Sequence, residues 1–258
     1  MLLAVDIGNT QTALGIFDGV QSPLYSGRIA TNSAQTSDEL HVLIHALFAL
    51  NDIDAETIDH LIIASVVPAL TDHWVELGQN LGITEVTVVN ASNCGGLKIE
   101  LDVPSEAGAD RLANAVGART RYGTPAIVVD FGTATNIDVI SKEGTYLGGV
   151  ISPGLETSAA ALFSHAARLS AVDLIAPAHV IGTSTKTAVL SGLMYGEAAK
   201  VEGLVARVTE ELARNGAGNP PVVIATGGLA ETIAPLCSCV QHIDTELTLY
   251  GLWHIATK

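Results

Sequence analysis

A short turn pattern occurs twice in this chain, and the duplication restricts the possible folds more than any other feature. Asp6-Ile7-Gly8-Asn9-Thr10-Gln11-Thr12 is matched 124 positions later by Asp130-Phe131-Gly132-Thr133-Ala134-Thr135. Apolar runs precede the copies, Leu2-Leu3-Ala4-Val5 and Ala126-Ile127-Val128-Val129. Others follow them, Ala13-Leu14-Gly15-Ile16-Phe17 and Ile137-Asp138-Val139-Ile140. Each copy therefore predicts strand, polar turn, strand. The glycine lets the backbone turn tightly and lets a ligand come close. Hydroxyls and backbone N–H groups can hold phosphate oxygens, and the aspartate, which phosphate repels, can hold the accompanying cation. One D-x-G-T turn reads equally well as plain hairpin chemistry; two favour a nucleotide gripped between two like domains.

The remainder repeats one recipe. After the first hairpin, residues 23–31 predict a third antiparallel strand, and Ser37-Asp38-Glu39 opens a helix running to Leu50 with Leu40, Leu43, Ile44, Leu47 and Phe48 at helical spacing. A strand at 61–67, a helix from Pro68 to about Gly82 and a strand at 85–89 follow. The second copy leads again into a third strand (146–152), then an Ala-rich helix from Gly154 onward, a long helix at about 187–214 and a strand at 222–225. A last helix is expected at 247–256. The reading is an α/β chain of two similar domains, each a mixed sheet flanked by helices, over 1–117 and 118–258.

Composition excludes some roles. Net charge is −15, from 27 acidic against 12 basic residues, which disfavours direct nucleic-acid binding and makes a metal-bound nucleotide a better ligand than a free one. Cys94, Cys237 and Cys239 lack metal-ligand spacing and fit a reducing, cytoplasmic setting. Met1-Leu2-Leu3-Ala4-Val5-Asp6 does not predict a signal peptide. The longest apolar stretch, 61–70, is too short to span a membrane.

No G-x-x-x-x-G-K-[ST] or G-x-G-x-x-G pattern is present, so the nucleotide reading rests on the hairpins. Thr226-Gly227-Gly228 could add a wall against base or ribose, or be an ordinary tight connection. Asp110, in Gly108-Ala109-Asp110-Arg111, fits either helix capping or proton abstraction from a substrate hydroxyl, with Arg111 beside it for an anionic group. Gly182-Thr183-Ser184-Thr185-Lys186 is a helix cap or a ligand contact. Gly148 to Gly154 is a turn or a cleft wall. His41 and His45 share a helix face but lack a third ligand, and Asp52-Ile53-Asp54 lacks the glycine of a calcium loop.

Taken in order, these motifs resemble those of type III pantothenate kinases, in the acetate and sugar kinase, heat-shock protein 70 and actin superfamily. The resemblance covers essentially the whole chain. It includes Gly149-x-Ile151-x-Pro153-Gly154, Ser191-Gly192 and Leu247-Thr248-Leu249-x-Gly251-Leu252. It implies ribonuclease H-like (actin-like ATPase) domains with a nucleotide cleft between them, and ATP-dependent phosphorylation of pantothenate, the first step of coenzyme A synthesis. It implies ATP binding by Asp6, Ile7, Gly8, Asn9, Thr10, Gln11, Thr12, Ala13 and Thr133. Pantothenate would be bound by Gly108, Ala109, Asp110, Arg111 and Thr185, with Asp110 as proton acceptor. Asp130 would hold potassium or ammonium, magnesium would accompany ATP, and the protein would be a homodimer. The chain departs from the family at Leu101, where a tyrosine commonly lines the pantothenate pocket. Another small-molecule kinase of the superfamily would share the hairpins, and so would a non-catalytic nucleotide-binding regulator. Pantothenate-dependent ADP release separates the three.

Overall fold

The computed structural model describes residues 1–165, 173–216 and 218–258. The first apolar runs form strands β1 (Leu2–Ile7) and β2 (Gln11–Phe17), paired antiparallel from Leu2–Phe17 to Ile7–Thr12. Strand β3 (Tyr25–Ala30) extends the sheet antiparallel beside β2. Helix α1 (Ser37–Leu50) starts at a capping box: Thr36 accepts from the Glu39 N–H and the Glu39 carboxylate accepts from the Thr36 N–H. It carries the chain across to β4 (His60–Ser65), parallel to β1. Helix α2 (Pro68–Asn80) does the same for β5 (Glu85–Val88). Pro68 opens α2, and Gly82, at φ +74°, turns the chain out of it. The order is β3-β2-β1-β4-β5.

Helix α3 (Ala109–Arg121) leads into the second sheet, and the division between two compact units falls within it, after Gly117. Strands β6 (Ala126–Phe131), β7 (Ala134–Ile140) and β8 (Tyr146–Pro153) form an antiparallel meander. Helices α4 (Leu155–His165) and α5 (Thr185–Arg214) precede β9 (Val222–Thr226), which is parallel to β6. A short α6 (Ala230–Ile233) precedes the edge strand β10 (His242–Ile243). The order β10-β9-β6-β7-β8 repeats the first sheet strand for strand.

In both units strand alternation decides which face is greasy. Leu3, Val5, Ile7, Leu61 and Ile63 pack against Leu40, Ile44, Phe48, Trp74 and Leu77 of α1 and α2. Ile127, Val129, Phe131, Ile137, Val223 and Ala225 pack against Met194, Ala198, Val201 and Val205 of α5. Asp6 and Asp130 lie one position out of phase with these rows, so each belongs to the opposite face of its sheet.

The second unit ends at Thr245, not at residue 258 as the periodicity suggested. Helix α7 (Leu247–Ala256) belongs with the first unit. Its Leu249 lies on Gly15 of β2, and a Cβ on Gly251 would overlap the Ala113 carbonyl of α3. A Cβ on Gly117 would sit 2.7 Å from the Leu247 carbonyl oxygen, so α3 and α7 meet backbone to backbone through two glycines. Thr248 donates to Asn114 Oδ1 at 2.7 Å in the same contact. No helix among the described residues is long and apolar enough to cross a membrane.

Candidate active site

The two hairpins are alike but not superimposable residue for residue. Asp6 pairs with Ala13, seven positions on, whereas Asp130 pairs with Asn136, six positions on. The second turn is one residue shorter. Counted from the strands, Thr10 therefore corresponds to Thr133, Thr12 to Thr135 and Ala13 to Asn136. In the first turn the Gly8 N–H donates to the Gln11 carbonyl at 3.1 Å, and a Cβ at Gly8 would stand 2.9 Å from that oxygen. Asn9, Thr10 and Gln11 are exposed. Thr12 is buried, and its hydroxyl meets that of Thr31 at 2.9 Å. A ligand of this turn therefore meets backbone groups and exposed side chains, not the Thr12 hydroxyl.

The second turn is braced from behind. The Thr133 carbonyl accepts from the Gly154 N–H at 3.1 Å and from the Thr157 hydroxyl at 2.6 Å. A Cβ on Gly154 would overlap the Gly132 carbonyl, so only glycine permits this approach. Thr226-Gly227-Gly228, at the end of β9, closes over the same corner. Gly227 is at φ +92°, a Cβ there would overlap Asp130 Oδ1, and the Leu229 N–H donates to the Phe131 carbonyl at 3.0 Å.

The surroundings of the two aspartates differ. In register with Asp6 stand Ala13 and Ala64, which bring no side-chain oxygen. In register with Asp130 stand Asn136 and Thr226, on the same face of the sheet. Asn136 Oδ1 and Thr226 Oγ1 are buried with no hydrogen-bond partner among the described residues. Buried polar atoms without partners are uncommon and costly. A carboxylate, an amide oxygen and a hydroxyl at one strand end form an all-oxygen donor set, which suits a hard cation such as potassium or magnesium. The residues present therefore fit a cation at Asp130, and the alanines at Asp6 do not offer the same. The sequence offered Thr226 only as a cleft wall and passed over Asn136, because which residues stand beside Asp130 appears only once β7 and β9 are paired with β6.

Asp110 begins α3. Its Oδ1 is buried, without a hydrogen-bond partner among the described residues, and lies 2.5 Å from where a Cβ on Gly108 would be. Burial raises its pKa above the usual carboxylate range, opposed by the backbone N–H and guanidinium of Arg111. A buried carboxylate oxygen with no donor on it has an unshared lone pair able to accept a proton, which simple capping would not require. Ala109 is buried, Arg111 stands beside the carboxylate in the first turn, and Leu101 is half-buried in the irregular chain leading to that turn.

At the start of α5 the hydroxyls divide their work. Ser184 is the cap, exchanging hydrogen bonds with Thr187 at 3.0 and 3.2 Å. Thr185 is exposed and lines a cavity of about 580 Å³ with Ser158, Leu162, Ala188, Val189, Gly192 and Leu193. His41 and His45 stack ring on ring at 4.7 Å, and no cluster of three metal-ligating residues exists among the described residues.

The sequence profile of type III pantothenate kinases matches residues 2–207. The type III pantothenate kinase of Desulfosudis oleivorans is 44% identical over 253 residues, covering 98% of this chain and 97% of that protein. The chain belongs to the type III pantothenate kinase family. It is a pantothenate kinase, using ATP with its magnesium ion to phosphorylate pantothenate in the first step of coenzyme A biosynthesis. Among solved structures, a conserved protein assigned to the Baf family of transcriptional activators, from Campylobacter jejuni, matches with TM-score 0.61 at 18% identity, covering 99% of this chain and 97% of that one. The activator of 2-hydroxyisocaproyl-CoA dehydratase from Clostridium difficile matches with TM-score 0.58 at 12% identity, covering 99% of this chain and 92% of that one. These distant matches speak to fold alone, and it is the actin-like ATPase fold of two mixed five-stranded sheets.

Proposed function

We propose that in this pantothenate kinase Asp110 is the general base. The observation that carries the reading is its buried, unpartnered Oδ1, on a carboxylate that burial has made more basic. Asp110 takes the proton from the primary hydroxyl of pantothenate as that oxygen attacks the γ-phosphorus of ATP. The bond to the bridging oxygen breaks, ADP leaves, and Asp110 returns its proton to solvent. Arg111 and Thr185 hold the carboxylate and hydroxyl groups of pantothenate, with Gly108 and Ala109 shaping the approach. Residues 6–13 and Thr133 hold ATP, largely through backbone N–H groups and the hydroxyls of Thr10 and Thr133.

Asp130 binds the monovalent cation, potassium or ammonium. The support is the Asn136 and Thr226 oxygens in register with it, which Asp6 lacks. Such a cation would offset phosphate charge beside a carboxylate that otherwise repels it. The protein works as a homodimer, a reading supported by the exposed Ile151, Ile175, Val180 and Ile181 of the second unit, the last 84% exposed. It works in the cytoplasm, as its lack of disulfides among the described residues suits. Pantothenate-dependent ADP release, with ATP affinity measured in parallel, tests the base assignment. Asp110→Asn should abolish most of the release and leave the affinity intact.

A further inference from the structure

The hydroxyls at matching places in the two hairpins are held differently. Thr12 meets the neutral hydroxyl of Thr31, just beyond β3. Thr135, 1% exposed, instead donates at 2.6 Å to Oε1 of Glu197 on α5, a carboxylate whose side chain is only 5% exposed. One turn further along α5, Lys200 closes on Glu197 Oε2 at 2.7 Å and donates to the Pro153 carbonyl at 2.8 Å. Ala134 and Pro153 are partners in the β7–β8 ladder. One ion pair on one helix thus holds both strands next to the Thr133 turn: β7 through Thr135, and β8 through the last residue before Gly154 and Thr157, which brace the Thr133 carbonyl.

Stability does not explain this pair. The surrounding core, with Phe131, Ile137, Met194, Ala198 and Val201, is apolar. Glu197 is buried and Lys200 is 28% exposed, and an ion pair with a buried carboxylate is often no more stabilising than well-packed apolar side chains of the same volume. What a directional, charge-assisted pair adds is a defined position for the groups bonded to it. We propose that Glu197 and Lys200 are positioning residues for phosphoryl transfer, fixing the Thr133 turn through Thr135 and the Pro153 carbonyl so that it meets the phosphates of ATP. Neither touches substrate. The inference rests on the reading that the Thr133 turn binds ATP.

The test replaces the three side chains by apolar groups of similar size, Thr135→Val with Glu197→Met and Lys200→Met, which strands no buried side chain and leaves the carbonyl of the exposed Pro153 to water. The melting temperature should stay near the parent's. The Kd for ATP, measured by calorimetry, and the KM for ATP should rise about 10-fold, the equivalent of one charge-assisted hydrogen bond, while KM for pantothenate stays within about twofold. A triple variant that keeps the parent's ATP affinity overturns the proposal. If it does not fold, Thr135→Val against Thr135→Ser decides: the serine keeps the hydroxyl and should bind ATP as the parent does, the valine should not, and equal affinities in the two refute the role. Thr133→Ala separates premise from proposal. Unchanged ATP affinity there removes the premise, whereas weakened affinity there with parental affinity in the triple variant refutes the positioning role alone.

Discussion

Asp110→Asn separates catalysis from stability because the structure predicts opposite signs for the two. Removing a general base costs about 10²–10⁴-fold in turnover. That is about 2.7–5.4 kcal/mol of transition-state stabilisation at 1.36 kcal/mol per decade. If Asp110 served only the helix start, asparagine would cap about as well and forfeit only the charge–dipole attraction, about 0.3–1 kcal/mol, or about 1–4 °C in Tm for a chain of this size. The unpartnered Oδ1 argues for the reverse. Burial has raised this carboxylate's folded pKa above 3.8, so folding favours its protonated form. Its contribution to stability is therefore best below 3.8 and is lost as pH rises through the raised folded value. Wherever the group is ionised it is a net cost to folding, and a neutral amide removes that cost.

The expected outcome is a variant that melts at or above the parent temperature at pH 7, with Kd for ATP unchanged and kcat lowered by two decades or more. Parental kcat/KM should also fall as pH drops through the raised Asp110 value, because the base is then already protonated. Scanning calorimetry at pH 7, steady-state kinetics from pH 5 to 8 and calorimetric ATP binding supply the readouts. Near-parental turnover with a lowered Tm would reduce Asp110 to a cap and refute the reasoning.

Potassium or ammonium should raise the melting temperature in the presence of ATP more than sodium does, and Asp130→Asn should abolish the difference; equal shifts for all three ions would sink the cation assignment. Light scattering at micromolar concentration should give the mass of two chains, and one chain's mass would refute the dimer. Gly251→Ala should lower stability, since its Cβ would overlap the Ala113 carbonyl where α3 meets α7. Overpacking costs about 1–3 kcal/mol against a helix-propensity gain of about 1 kcal/mol, so a Tm drop of a few degrees is expected, and an unchanged Tm would show that the two helices can part.

The sequence disclosed what is local and periodic. Alternating apolar runs around a glycine turn specify a hairpin wherever they occur, so both sheets could be anticipated, as could the helix starts at Ser37 and Pro68, although the first cap is Thr36. The placement of α7 was not legible. Leu247, Leu249, Tyr250, Leu252 and Ile255 are all buried, so no polar face indicates which sheet the helix covers. What decides it is the glycine pair Gly117 and Gly251, two residues that read as indifferent until their backbones are seen to touch.

Glu197 and Lys200 stayed hidden for a related reason. An acid and a base three apart on a 30-residue helix ordinarily make a solvated surface pair. Burial belongs to the tertiary structure, and only there does Thr135, the counterpart of Thr12, face a carboxylate where Thr12 faces another hydroxyl. The same holds for the aspartates, flanked by alanines in one hairpin and by Asn136 and Thr226 in the other. Duplication supplied two equivalent turns, and their shared pattern shows what they have in common. Where they differ is in the neighbours brought to them by strand pairing and packing: Asn136 and Thr226 beside Asp130 and Glu197 on Thr135, where the first hairpin has two alanines and Thr31.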